Sequence, residues 1–215
     1  MANPPQDLLL LSNVRIVFPK LFKGQEEAFE GKGDPYYSAS FLILPTDPQV
    51  EAVKEAQRAA ARKKWPTDWE ERLKVFAMKD KLVLHDGAMK AGKTYGAAFK
   101  GMFYVSGRNN AKTSPPVPVY DNVIDPKTNE ARVIASVADQ RAPYSGSYVN
   151  VYLNLFGYQA GGGEGVGASI AGVQFHADGE RLSGGITARA TDFQAVPAKV
   201  MEKAATSGQG AASLF

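Results

Sequence analysis

The residues from Tyr148 to Tyr158 alternate with a period of two, placing Val149, Val151, Leu153 and Leu155 on one face and Tyr148, Asn150, Tyr152, Asn154, Phe156 and Tyr158 on the other. One face suits a core. The other carries rings and amides, the groups that stack on planar rings and hydrogen-bond their edges. A second strand, expected from Tyr95 to Ser106, sends Lys100, Met102 and Tyr104 to one side, opposite Phe99, Gly101, Phe103 and Val105, with Arg108 just beyond. Between Lys79 and Lys112 stand seven Lys and Arg residues against only Asp80 and Asp86, although the whole chain carries a net charge of just +3. The charge is concentrated. Lys90, Lys93, Lys100, Arg108 and Lys112 are thus candidate ligands for phosphates, and Tyr104, Tyr148, Tyr152 and Phe156 are candidate platforms for bases. The bland alternatives are a solvated lysine-rich face and a second buried side of the sheet.

Other patterns point to chemistry less well. Gly87-Ala88-Met89-Lys90-Ala91-Gly92-Lys93-Thr94 satisfies the Walker A spacing formally, but the aromatic, glycine-interrupted run after it is no helix N-terminus to hold a nucleotide. A basic hairpin loop is expected there instead. His85 and His176 lack spacing partners and read as exposed turn residues, and the acids are too scattered for a two-metal nuclease. No catalytic residues, metal or cofactor are expected. The absence of cysteine excludes thiol chemistry and fits a reducing cytoplasm, and the apolar run Leu8 to Leu11 is too short for a signal or a membrane span.

The elements that must carry these residues are mostly short strands, as 21 Gly and 13 Pro among many β-branched and aromatic residues suggest. Strands are expected at Leu8 to Phe18, ended by Pro19, at Tyr36 to Leu44, at Leu82 to Leu84, at Val117 to Tyr120, and as a hairpin of Tyr148 to Tyr158 with Val166 to Phe175. Asp47 is expected as an N-cap with Pro48 at the first helical position, leading into a helix over Val50 to Lys64, rich in Ala with Glu51, Lys54, Glu55 and Arg58. A shorter helix is expected from Thr67 to Phe76, capped by Thr67 or Asp68. The chain divides into a domain, 1–198, and a flexible Ala, Gly and Ser-rich tail, 199–215.

Several stretches resemble a family of bacteriophage single-stranded-DNA-binding proteins. The likeness rests on Val14-Arg15 through Pro19 with Leu21-Phe22, on Tyr37 to Ile43, on Asp86-Gly87, and most specifically on Gly146-Ser147-Tyr148-Val149-Asn150 and Gly172-Val173-Gln174-Phe175 with Asp178-Gly179-Glu180-Arg181-Leu182 and Gly184-Gly185. The resemblance implies a mainly β fold, an OB-like Greek-key barrel with one or two inserted helices, and sequence-tolerant binding of single-stranded DNA in phage replication, recombination or repair, in the cytoplasm of a bacterial host. It also implies a partner-binding tail. Leu214 and Phe215 fit such an end, but no acid follows Glu202, so the electrostatic part of the family's tail is missing. A homo-oligomer is compatible with this reading, and a virion or assembly protein using the aromatic face as a subunit interface is the competing one.

Overall fold

The computed structural model describes residues 8–29, 31–90, 92–93, 96–160 and 163–182. The boundary drawn after residue 198 and the tail residues Leu214 and Phe215 lie outside them. The described chain is mainly β with two helices: β1 (Leu9–Lys20), β2 (Glu27–Phe29), β3 (Lys32–Ile43), α1 (Gln49–Lys64), α2 (Trp69–Met78), β4 (Leu84–Asp86), β5 (Phe103–Asn110), β6 (Val119–Asp125), β7 (Glu130–Val133), β8 (Tyr148–Ala160) and β9 (Gly163–Ala177). The strands form one sheet in the order β4-β5-β3-β1-β8-β9-β6-β7, with β2 attached to β3.

Five strands curl into the expected OB-like barrel. β1 pairs with β3 on one side and β8 on the other, β5 lies beyond β3, and β9 lies beyond β8. The ends of this row meet through a side chain. Asn109 on β5 donates from Nδ2 to the Ile170 carbonyl and accepts from the Ile170 amide at Oδ1, both at 2.8 Å, so one amide group substitutes for a rung of backbone pairing with β9. Gly107 permits the approach, because a Cβ there would lie 2.5 Å from Ile170 Cγ1. Inside the barrel, alternate residues such as Ile16, Phe41, Val105, Val151, Leu153 and Phe175 are buried.

Helix α1 closes one end of the barrel with Val50, Val53, Ala60 and Ala61, a stripe at helical spacing, while Lys54–Glu51 and Arg58–Glu55 pairs line its wet face. Helix α1 begins one residue later than expected, with Pro48 at the N-cap position and no side-chain cap; Asp47 Oδ1 accepts from the Gln49 amide at 2.9 Å and so orders the turn before the helix without capping it. At the start of α2, Asp68 makes no side-chain cap and instead takes Arg72 Nε at 2.7 Å. None of the described helices is long and apolar enough to cross a membrane.

Two expectations about strands need correction. β1 does not end at Pro19, and its alternation breaks twice, between Leu11 and Val14 and between Val17 and Lys20, where Asn13 and Phe18 both take φ of 52°. The second irregularity removes Phe18 from the face of Val14 and Ile16. Val17, Leu42, Phe99 and Tyr104 instead form a separate small core on the outside of the sheet, with Phe18 packed on it. That core exists because the run expected as a strand from Tyr95 starts pairing only at Phe103; Gly96–Phe99 is a 3-10 turn folded back over the sheet. Sequence reading also missed β2 and β7.

The two most distinctive family blocks pack on each other. Tyr144 Oη donates to the Asp178 carboxylate and accepts from the Gly179 amide, Arg15 donates to the Gly146 and Glu180 carbonyls, and the Leu182 amide donates to the Ser145 carbonyl. Gly179 has no room for a side chain, since its Cβ would stand 2.1 Å from the Gly146 carbonyl oxygen. These residues form a clasp that holds the strand β8 in place.

Candidate nucleic-acid interface

The outer face of β3 and β5 follows from their register. Tyr36 faces Asn110, Ser38 faces Arg108, Ser40 faces Ser106 and Leu42 faces Tyr104, while the residues between point into the barrel. The Leu42–Tyr104 end is roofed by the 3-10 turn at Gly96–Phe99. The rest stays polar. Ser40 and Ser106 share a hydrogen bond of 2.8 Å, and the Arg108 guanidinium lies 4.7 Å from the centre of the Tyr36 ring. Small hydroxyls make a low floor, and an arginine on a ring borders it.

A groove of about 560 Å³ runs across this floor from Lys90 and His85, past Ser106 and Arg108, to Phe156 and Tyr158 on the β8–β9 hairpin. The glycine-rich start of β9 explains how those rings lie. Phe156 is opposite Gly167 and Tyr158 opposite Gly165, so each ring rests over a position with no side chain; a Cβ on Gly167 would be 3.3 Å from the Phe156 ring. Phe156 is left 41% exposed, its ring available to a planar ligand. Arg72 bonds both Asp68 and Glu164, tying the hairpin to α2, and the Val166 amide donates to the Lys81 carbonyl.

Cations prevail along the groove: Lys81, Lys90 and Arg108 line it, against Asp80, whose carboxylate is engaged by His85 Nδ1 at 2.6 Å. Tyr104 sits underneath. It is only 5% exposed, with the His85 ring stacked on it at 4.9 Å, the Phe99 edge at 5.1 Å and Lys90 Nζ at 5.6 Å. Its ring therefore supports His85 and Lys90 where the sequence had suggested an open stacking platform.

Of the residues expected to share one surface, the structure brings Lys90, Tyr104, Arg108 and Phe156 together. Lys93 and Lys100 are exposed on the segment that roofs the sheet, outside the groove lining. Lys112 pairs with Asp34 at 2.5 Å, and its ammonium beside Asp34 holds that carboxyl below its ordinary range. Tyr148 lies near Arg15 at the clasp, and Tyr152 lines a different recess with Leu10, Tyr120, Asn150 and Gln174, in which no Lys or Arg among the described residues takes part.

Of the Walker-like segment, Gly87–Lys90 forms a 3-10 turn, while Ala91 and Thr94 lie outside the described residues; the next described element is a second 3-10 turn, Gly96–Phe99, so among the described residues no α-helix N-terminus follows, and the flanking elements are 3-10 turns where a hairpin was expected. Gly87 is needed for packing: a Cβ there would lie 2.0 Å from the Phe99 carbonyl oxygen. His85 is no turn residue but a member of β4, and His176 lies on β9. Among the described residues, no three acids or histidines cluster as metal ligands. Sequence reading missed Lys81, His85 and Ser106 as groove residues, and Tyr36 and Ser40 as the neighbours of Arg108 and Ser106 on the floor beside it. The pairing of β5 with β3, some 70 positions away, and with β4, some 20 away, is what assembles this face, and no local pattern carries it.

A family model described as the single-stranded-DNA-binding protein of Enterobacter phage Enc34 matches residues 8–204. Protein p50 of Acyrthosiphon pisum secondary endosymbiont phage 1 is 32% identical over 186 residues, spanning 85% of this chain and 90% of that protein. Among solved structures, the single-stranded DNA-binding protein from bacteriophage Enc34 in complex with single-stranded DNA aligns with a TM-score of 0.61 at 17% identity, covering 82% of this chain and 90% of that one. A further structure of the same phage protein aligns at 0.58 with 16% identity, covering 85% and 87%. At such identities the structural likeness is one of fold.

Proposed function

The chain belongs to the family of the single-stranded-DNA-binding protein of Enterobacter phage Enc34, and from that premise we propose that it binds single-stranded DNA, without regard to sequence, in the groove across β5. The observation that carries this reading is the meeting of Lys81, Lys90 and Arg108 with the exposed Phe156 ring and the half-buried Tyr158 ring of the β8–β9 hairpin. Cations take the phosphates, which every nucleotide has. Phe156 and Tyr158 take base faces, which every nucleotide also has, and the serine floor leaves room for the backbone. Lys93 and Lys100, exposed beside the entrance, extend the positive field along the strand's path.

The work done is binding, with no bond made or broken in the DNA. Its setting is phage DNA replication, recombination or repair in the host cytoplasm, with partner proteins recruited through Leu214 and Phe215. Mobility-shift titration with oligo-dT at low and high salt tests the core of the proposal. Retardation at micromolar protein that weakens steeply with salt is expected. Its absence at low salt overturns the reading.

One observation favours a second reading, in which the chain is an assembly protein. The recess formed by Leu10, Tyr120 and Tyr152 is apolar and lacks cations, which suits a protein surface better than a phosphate backbone. Concentration-dependent oligomers that show no DNA affinity would select it.

A further inference from the structure

The Asp80–His85 pair is built into the groove at some conformational expense. Helix α2 ends with the Lys81 amide donating to the Phe76 carbonyl at 2.8 Å and the Asp80 amide to the Ala77 carbonyl at 3.3 Å. That is a Schellman ending, whose left-handed position is normally glycine; here Asp80 occupies it at φ of 52°. An aspartate in that conformation is strained, and its carboxylate is used on His85 Nδ1. The imidazole is thereby fixed in orientation. It is held flat on Tyr104, and its side chain keeps 17% exposure toward the groove.

With Nδ1 committed to Asp80, Nε2 is the nitrogen left to meet a ligand. We propose that His85 is a proton-linked ligand for the phosphates of single-stranded DNA, an inference that rests on the DNA-binding reading above. When the strand enters, Nε2 takes a proton from solvent, and the resulting imidazolium donates Nδ1–H to Asp80 and Nε2–H to a phosphate oxygen. The neighbouring charges make protonation depend on DNA. The Asp80 carboxylate at the end of α2 lies on Nδ1, and Asp86 on the same strand is turned to the Ala88 amide. Lys81, Lys90 and Arg108 oppose a further positive charge in the empty groove. Tyr104 stacks on the ring, and Tyr158 lines the groove. A phosphate offsets the three cations, so binding and proton uptake strengthen each other.

The composition makes this readable, since the chain has only two histidines and no cysteine, and histidine is the side-chain type that ordinarily changes charge between about pH 5 and 8. The test is affinity for fluorescent oligo-dT, by anisotropy at constant ionic strength, from about pH 6 to about pH 8.5. Wild type is expected to tighten severalfold toward the acid end, with a ceiling of about tenfold per pH unit for one proton taken up. His85→Gln should be nearly flat and should meet wild type at the alkaline end. His176→Gln should follow wild type. Asp80→Gly, which places the preferred residue at the helix end, should unfold no earlier than wild type yet lose most of the pH dependence. Equal pH profiles for wild type and His85→Gln, with binding intact, overturn this inference and leave the proposed function standing. A uniform loss of affinity at every pH in His85→Gln also overturns it, since that is the signature of a purely structural role. No binding by wild type at any pH overturns the proposed function itself.

Discussion

At the residue scale, the difference between a ring that is exposed and a ring that is buried decides which aromatic can bind. Tyr104 and Phe156 were equally attractive in the sequence, each flanked by alternating apolar residues. Only the structure separates them: Tyr104 lies under the 3-10 turn with Phe99, while Phe156 rests on Gly167 with its outer side open. The signal for Phe156 was local, a strand alternation, and so was legible. Burial of Tyr104 depends on a chain segment that folds back over it, which no periodicity encodes. Phe156→Ala should cost about 1–3 kcal/mol of affinity for oligo-dT, the range for loss of one stacked base. Its thermal midpoint should hardly move, because the ring is largely outside the core. Tyr152→Ala, altering a recess without cations, should bind like wild type. Parallel titrations of the two variants check this, and a larger loss in Tyr152→Ala would move the DNA path to the other side of β8.

At the element scale, the long hairpin and the first helix were readable because their signals lie in consecutive residues. Val149, Val151 and Leu153 alternate along the first half of β8, and Val50, Val53, Ala60 and Ala61 recur at helical spacing. β1 was harder, because two left-handed residues, Asn13 and Phe18, interrupt the period and neither is glycine. β2 and β7 are too short to show a period at all. The approach of β5 to β9 was invisible, since it turns on one glycine and one asparagine brought together with a strand some 60 residues away. Gly107→Val tests that contact. The added side chain meets Ile170 and Leu153 where even a Cβ has no space, so a loss of about 2 kcal/mol in denaturant unfolding is expected. Because Arg108 and Ser106 flank the glycine on the binding face, DNA affinity should fall as well.

At the scale of the whole molecule, charge does two separate jobs, and salt and acid distinguish them. The structural job belongs to a network on the β6–β7 side. Asp121, 2% exposed, is bound by Arg132 and Arg141, and Arg132 also holds Asp139. Burial pushes the Asp121 carboxyl up, but hydrogen bonds from Arg132, the Asn122 amide and Arg141 outweigh it, and Arg132 lowers Asp139. Both carboxyls thus titrate lower when folded than unfolded. Their stabilisation is complete above the ordinary carboxylate range and is lost as pH falls below about 4. Asp121→Asn should lower the thermal midpoint near neutrality by about 5 °C or more and flatten its acid dependence, measured by calorimetry over that range. In the proposed function the binding job belongs to Lys81, Lys90 and Arg108, which make no ion pair among the described residues, and a net charge of +3 for the whole chain says little about it. If the strand meets only Lys81, Lys90 and Arg108, three phosphates are neutralised. The logarithm of the binding constant should then fall against the logarithm of salt concentration with a slope of about −2, at roughly 0.7 per phosphate of single strand. If Lys93 and Lys100 also engage, as the sequence alone suggested, five phosphates raise the slope to about −3.5. Replacing both lysines by Gln should then reduce it by about 1.4, whereas an unchanged slope confines the DNA to the groove across β5.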